Sequence, residues 1–253
     1  QALVISGSDM RGAIFGVYEL SSAVGVSPWY WWADVPVAKH QDIFVKANTL
    51  LVDWPKVKYR GIFLNDEAPA LTGWVQENFG NYNSQFYGHV FELMLRLKAN
   101  YLWPAMWNNA FKLAHEMGIV MGTSHHEPMM RADKEWNWTG EGKWDYAVNE
   151  KHLYEFWQQG AKRHKQLDSI FTLGMHGQED EPMSEEQNIA LLEKIVSDQR
   201  NILQEVYQRS DISDVPQVWT LYKEVQGYYE NGQLEDKGTY KDGKMHGLYE
   251  SYD

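Results

Sequence analysis

Between Val57 and Val225 the chain alternates strand-like and helix-like segments five times, and no other feature limits its fold so tightly. The strand patterns VKYRGIFLND, NYLWPAM, GIVMGTS, SIFTLGMHG and PQVWTLYKEV are apolar runs that end in polar residues. Helical patterns separate them: SQFYGHVFELMLRLKA, the short AFKLAHEM, EKHLYEFWQQGAKRHK and SEEQNIALLEKIVSDQRNILQEVYQ. In the last, Ser184 followed three residues later by Gln187 reads as a capping box. Short connections between alternating elements favour right-handed parallel crossovers, and near-continuous apolar strands fit a sheet buried on both faces. The expected class is therefore α/β of the (β/α)8 TIM-barrel type. It is incomplete, because a full barrel has about eight units and only about five fit here.

The flanks differ from this middle. Residues 1–55 read as a partial small α/β domain with a connector. Its ALVISG run reads as a buried strand, followed by a helix capped by Ser8 or Asp9 and closed near Gly25. SPWYWWADVP is too rich in Trp, and too bounded by Pro, for an ordinary helix. The chain opens at Gln1 without an initiator Met, and we read it as a mature form or, in preference, a piece of a longer protein. Residues 56–226 form the expected barrel segment. Residues 227–253 lack helical periodicity and carry turn signals at Asn231-Gly232, Asp242-Gly243 and His246-Gly247, which predicts short antiparallel strands. Through YYENGQL and GTYKDGKMHG this tail resembles one MORN-type repeat.

Charge and composition exclude several functions. With 23 Lys and Arg against 35 Asp and Glu, the net charge of -12 opposes binding to nucleic-acid phosphates. No apolar run reaches the roughly 20 residues that span a bilayer, so no membrane partner is expected. There is no Cys, which removes disulfides, thiol catalysis and zinc-thiolate sites together. Twelve Trp beside many carboxylates suit a carbohydrate site, where sugar rings stack on indoles, although Trp at the edge of a large core explains them as well.

Catalytic groups of a parallel barrel come from the C-terminal ends of its strands. The first strand ends in Asn65, Asp66 and Glu67, and the second in Trp103 followed by Trp107. The third ends in His125, His126 and Glu127, the fourth in His176, Asp180 and Glu181, and the fifth in Tyr222 and Glu224. Two carboxylates flanking a sugar are what glycoside hydrolysis requires. Singly, Asp66, Glu67 and Glu127 also fit turn or helix caps near Pro residues, and Asp180 and Glu181 fit N-terminal helix charges. His125 and His126 are metal-ligand types, with Glu127 or Asp66 as further ligands of a metal-dependent hydrolase. Neighbours on an extended strand point to opposite faces, however, so this reading ranks third and the expected site is metal-free.

The runs GVSPWYWWADVPV, VKYRGIFLNDEAPALTGW, RLKANYLWPAMWNNAF, GIVMGTSHHEPMMRA, DEPMSEEQNIALLEKIV and PQVWTLYKEVQ resemble glycoside hydrolase family 115 over roughly residues 1–226. The resemblance implies a xylan α-1,2-glucuronidase that removes glucuronic acid or its 4-O-methyl form by inversion, without a cofactor. It implies Glu224 as general acid and Asp180 and Asp66 as candidates for the base or for positioning. It places Asn65, Glu67, Trp103, Trp107, His125, His126, Glu127, His176, Glu181 and Tyr222 around the substrate. His176 and Gln178 stand where the family pattern has Arg and Asp, and Arg suits bidentate carboxylate binding better than His does. Arg60, Lys223 or the His pair are the cations available to an anionic uronate.

The resemblance also implies glucuronoxylan or its oligosaccharides as partner and a secreted or periplasmic location. The family's later barrel strands have no counterpart before the tail. The open sheet edge this leaves is one at which a homodimer can form. A non-catalytic carbohydrate-binding or MORN-type interaction protein is the other class the sequence allows.

Overall fold

The computed structural model describes residues 2–105, 110–178, 183 and 188–220, together with the short segments 227–228, 234–237, 240–241, 244–245 and 250–251. It is mixed α/β and divides into two compact units, Gln1–Met121 and Gly122–Asp253. That division falls inside the stretch read from sequence as one barrel segment.

In the first unit, helix α1 (Met10–Ala23) begins at Asp9, whose side chain accepts a hydrogen bond from the Gly12 amide. The ALVISG run ahead of it is not a strand. Leu3 and Val4 are 58% and 80% exposed, and an apolar run with no paired neighbour gains nothing from an extended ladder. A parallel sheet follows in the order β1 (Gly61–Phe63), β2 (Tyr101–Trp103), β3 (Val120–Met121). Gly61 faces Tyr101 across the first pair, and Leu102 faces Met121 across the second. The crossovers are helical: α2 (Ala70–Phe79) and α3 (Ser84–Arg96), then α4 (Phe111–Met117).

Helix α3 carries this unit's core. Asn83 caps it by accepting from the Gln85 and Phe86 amides. Phe86, Tyr87, Val90, Phe91, Met94 and Leu95 recur at helical spacing and are all buried with Leu102, Ile119 and Met121. Strand β1 departs from the expectation of a sheet covered on both faces: Ile62 and Phe63 are 50% and 42% exposed.

In the second unit, α5 (Trp136–Thr139) is one short turn, and α6 (Tyr146–His164) packs against α7 (Ile189–Tyr207). Leu153, Phe156, Trp157 and Ala161 of α6 and Leu192, Ile195, Ile202 and Leu203 of α7 are buried. β4 (Phe171–Leu173) and β5 (Gln217–Trp219) pair in parallel, with Thr172 opposite Val218. Helix α7 starts at Ile189 and not at the expected Ser184; its cap is Asn188, which accepts from the Leu191 amide. Ser184 and Gln187 lie outside the described residues. In the tail, β6 (Gly227–Tyr228), β7 (Leu234–Lys237) and β10 (Glu250–Ser251) pair antiparallel, as do β8 (Tyr240–Lys241) and β9 (Lys244–Met245). The antiparallel expectation therefore holds for the backbone. None of the described helices is long and apolar enough to cross a membrane.

Candidate functional site

At the end of β1 the ladder runs on by one bond, from the Leu64 amide to the Trp103 carbonyl at 2.9 Å. Beyond it, Asn65 donates to a Glu67 carboxylate oxygen at 3.2 Å, on the exposed side. The Asp66 backbone carbonyl accepts from the Thr72 hydroxyl, which also meets the Tyr82 hydroxyl at 3.0 Å. Burial raises the Tyr82 pKa, the Thr72 bond opposes the rise, and the Asp66 charge adds to it. Trp103 lies edge to face with Phe63 at 5.7 Å and donates its indole N–H to Tyr101 Oη at 2.5 Å. These three polar groups and Trp103 thus share one strand end. Arg60, a cation considered for the uronate, spends its side chain on the carbonyls of Val57, Lys58 and Lys98 and holds the strand entrance instead.

The second unit gathers the histidines. The segment 122–133 folds back on itself: Thr123 Oγ1 donates to the Glu127 carbonyl at 2.7 Å, and the Asp133 amide donates to the His126 carbonyl at 2.9 Å. Met129 and Met130 take positive φ of 54° and 61° to make the fold-back. His125 and His126 sit in a turn, not in an extended strand. Their rings are 4.3 Å apart at the centroids, so these adjacent side chains do not diverge as they would on an extended strand.

His176 joins them from the other side, three residues after β4. Its ring lies 5.1 Å from His125 and 4.5 Å from His126. One ring nitrogen from each of the three lies within 4.8 Å of the others. His176 is 2% exposed, and burial first, then His126 and His125, pulls its pKa down to about 4. Its imidazole is neutral at neutral pH. The indole N–H of Trp144 donates to the His176 carbonyl at 3.0 Å, which fixes the backbone beneath the ring.

Two positioning residues carry no sequence signal. Asp133, with its side chain 2% exposed, places Oδ2 3.3 Å from Nδ1 of His126. Arg131, 3% exposed, bonds to Glu135, the Phe156 carbonyl, Gln159 and Thr139, and stacks on the Phe156 ring at 3.7 Å. It ties the fold-back loop to α6. Gln178 donates to Asn137 Oδ1 at 3.1 Å.

The structure therefore brings His125, His126, Glu127 and His176 into one unit, and Asn65, Asp66, Glu67 and Trp103 into the other. Trp107, Asp180, Glu181, Tyr222, Lys223 and Glu224 lie outside the described residues.

Residues 52–239 match a family described as Glycosyl hydrolase family 115. The match runs past residue 226 into the antiparallel tail. Among solved structures, the chain is similar to a family GH115 4-O-methyl-α-glucuronidase with specificity for decorated arabinogalactans, at 36% sequence identity and a TM-score of 0.74. That likeness covers 83% of this chain and 30% of the other, so the chain spans less than a third of that enzyme's length. No curated protein sequence matches it.

Proposed function

The chain belongs to glycosyl hydrolase family 115, and from that membership we propose that it acts as a glycoside hydrolase of the α-glucuronidase type. The reaction is release of glucuronic acid, or its 4-O-methyl form, from polysaccharide side chains by a secreted or periplasmic enzyme. The likeness to a 4-O-methyl-α-glucuronidase at 36% identity is the observation that carries this reading.

In this reading residues 56–226 supply part of a (β/α)8-type catalytic barrel. Glu224 protonates the departing oxygen, and Asp180 or Asp66 activates the attacking water. An inverting pair needs carboxyl groups roughly 6.5–9.5 Å apart, with the water between one of them and the sugar. Asn65, Glu67, Trp103, Trp107, His125, His126, Glu127, His176, Glu181 and Tyr222 bind the sugar, the aromatic rings by stacking and the polar groups through hydroxyls.

Two polysaccharides are candidates. Glucuronoxylan follows from the family resemblance, and decorated arabinogalactan from the specificity of the similar structure. The test is release of uronic acid from each, comparing the chain with its Glu224→Gln variant. Release that the substitution abolishes supports the hydrolase, and the polysaccharide consumed names the substrate. Binding without release from either, beside an active family member, sinks the hydrolase reading in favour of carbohydrate binding.

A further inference from the structure

We infer that His125, His126 and His176 form a binding site for one divalent transition-metal ion of the zinc type. Three imidazoles reach one point from two separate segments, the turn after β3 and the exit from β4, with a nitrogen of each within 4.8 Å of the others. Tetrahedral zinc with bonds of about 2.0–2.1 Å spaces its nitrogens about 3.4 Å apart. Binding one ion therefore draws the three nitrogens together from within 4.8 Å to that spacing.

The surroundings fit a ligand set better than they fit packing. His176 is buried, and among the described residues its Nδ1 has no hydrogen-bond partner. A buried ring nitrogen left so costs desolvation without return, unless something else takes its lone pair. His126 turns Nδ1 toward the buried Asp133 carboxylate. With the Nδ1 proton on that side, Nε2 keeps the lone pair. A carboxylate behind a metal-ligating imidazole is the usual way its tautomer and orientation are set.

The donor set selects the ion. Three nitrogens suit zinc, cobalt, nickel or copper, whereas calcium and magnesium require a cage of oxygens. Three protein ligands also leave a fourth position for water or a substrate oxygen, so with the ion bound the three histidines meet a sugar through it and not through hydrogen bonds of their own. The inference departs from the metal-free site expected from sequence. It does not rest on the hydrolase reading, because its readout is metal binding and not turnover.

The experiment is calorimetric titration of the chelator-stripped chain with zinc chloride, repeated with cobalt chloride by visible absorbance. One saturable ion per chain is expected, with a tetrahedral cobalt spectrum. His125→Asn and His176→Ala should each weaken binding by about 100-fold or more, and Asp133→Asn by roughly 10–100-fold. His125 is half-buried in a turn, so His125→Asn tests the site even where His176→Ala unfolds the chain; circular dichroism identifies that case. A folded chain that binds no zinc overturns the inference. So does stoichiometric binding that survives the His125/His126/His176 triple variant, which places the ion on histidines elsewhere, such as His40 or His115.

Discussion

Gln199 of α7 satisfies both backbone polar groups of Gly174: its side-chain oxygen accepts from the Gly174 amide and its amide nitrogen donates to the Gly174 carbonyl, each at 2.8 Å. Gly174 has a φ of +105° where β4 ends, and His176 emerges two residues later. A helix side chain thus does the work of a missing strand partner at the point where the chain turns toward the histidine cluster. Gln199 is fully buried, so water does not reach either group. Gln199→Leu should leave two buried backbone groups unpaired and cost about 2–6 kcal/mol, at roughly 1–3 kcal/mol per group. Urea denaturation reads the loss, and an unchanged midpoint refutes the role.

Arg131 makes a different kind of bond, a buried charge with several partners. Its fork reaches Glu135, Gln159, Thr139 and the Phe156 carbonyl at once, which an ammonium on a flexible stem does not reproduce. Arg131→Lys should therefore destabilise nearly as much as Arg131→Met, and the latter by about 1–3 kcal/mol because the buried Phe156 carbonyl and its neighbours lose their donor. A well-tolerated Arg131→Lys in thermal or chemical denaturation counts against a geometric role.

How much of this was legible depends on where the physics is local. Helices α3 and α7 were readable because their buried residues recur at helical spacing. α2 was not: only Val75 of its ten residues is buried, and its N-cap is Pro69 with no side-chain bond, so neither periodicity nor capping announces it. The N-terminal ALVISG run was over-read, since an apolar sequence forms a strand only with a neighbour to pair. The His125–His126 geometry was missed for a related reason. Alternation of side chains holds only while the strand lasts, and β3 stops at Met121. Asp133 lies seven residues beyond His126 and reaches it through a fold-back built on two left-handed methionines, which no motif encodes.

The buried imidazole of His164, at the end of α6, sets an acid limit. Burial first, then the Arg163 charge, brings its pKa from 6.5 down to about 4. Between those values the unfolded chain binds more protons than the folded one. Its contribution is therefore fully present above about pH 6.5 and declines as the pH falls toward 4, by up to roughly 3 kcal/mol. Melting temperatures taken from pH 7 to pH 4.5 should fall more steeply for the native chain than for His164→Gln. Parallel curves would mean that His164 does not titrate in this window.

If hydrolysis inverts, the anomer released first carries the record. An α-linked uronate attacked by water from the opposite face leaves as the β anomer, whereas a covalent intermediate returns the α anomer. Proton NMR of the earliest product separates the two before mutarotation does. Asp180→Asn and Asp66→Asn then divide the base role: the true base should lose about 10²–10⁴-fold in rate, and a positioning carboxylate less. Early α product rejects the two-carboxylate inverting assignment whatever the variants show.

Gly160 offers the sharpest contest between local propensity and packing. It sits inside α6, where Ala is favoured over Gly by about 1 kcal/mol. A methyl group there would stand 2.2 Å from the Met129 carbonyl oxygen and 2.7 Å from Cγ of Arg131. Neither yields easily, since Met129 is buried in the fold-back loop and Arg131 is held by its several hydrogen bonds. Gly160→Ala should therefore destabilise by about 1–3 kcal/mol despite the better helix former. The push falls on the loop that runs from His126 to Asp133, closed by the bond between the Asp133 amide and the His126 carbonyl. Zinc affinity should fall together with the urea midpoint in this variant, because one displacement disturbs both. A stabilised Gly160→Ala would show that the loop gives way, and that α6 does not hold the histidine cluster in place.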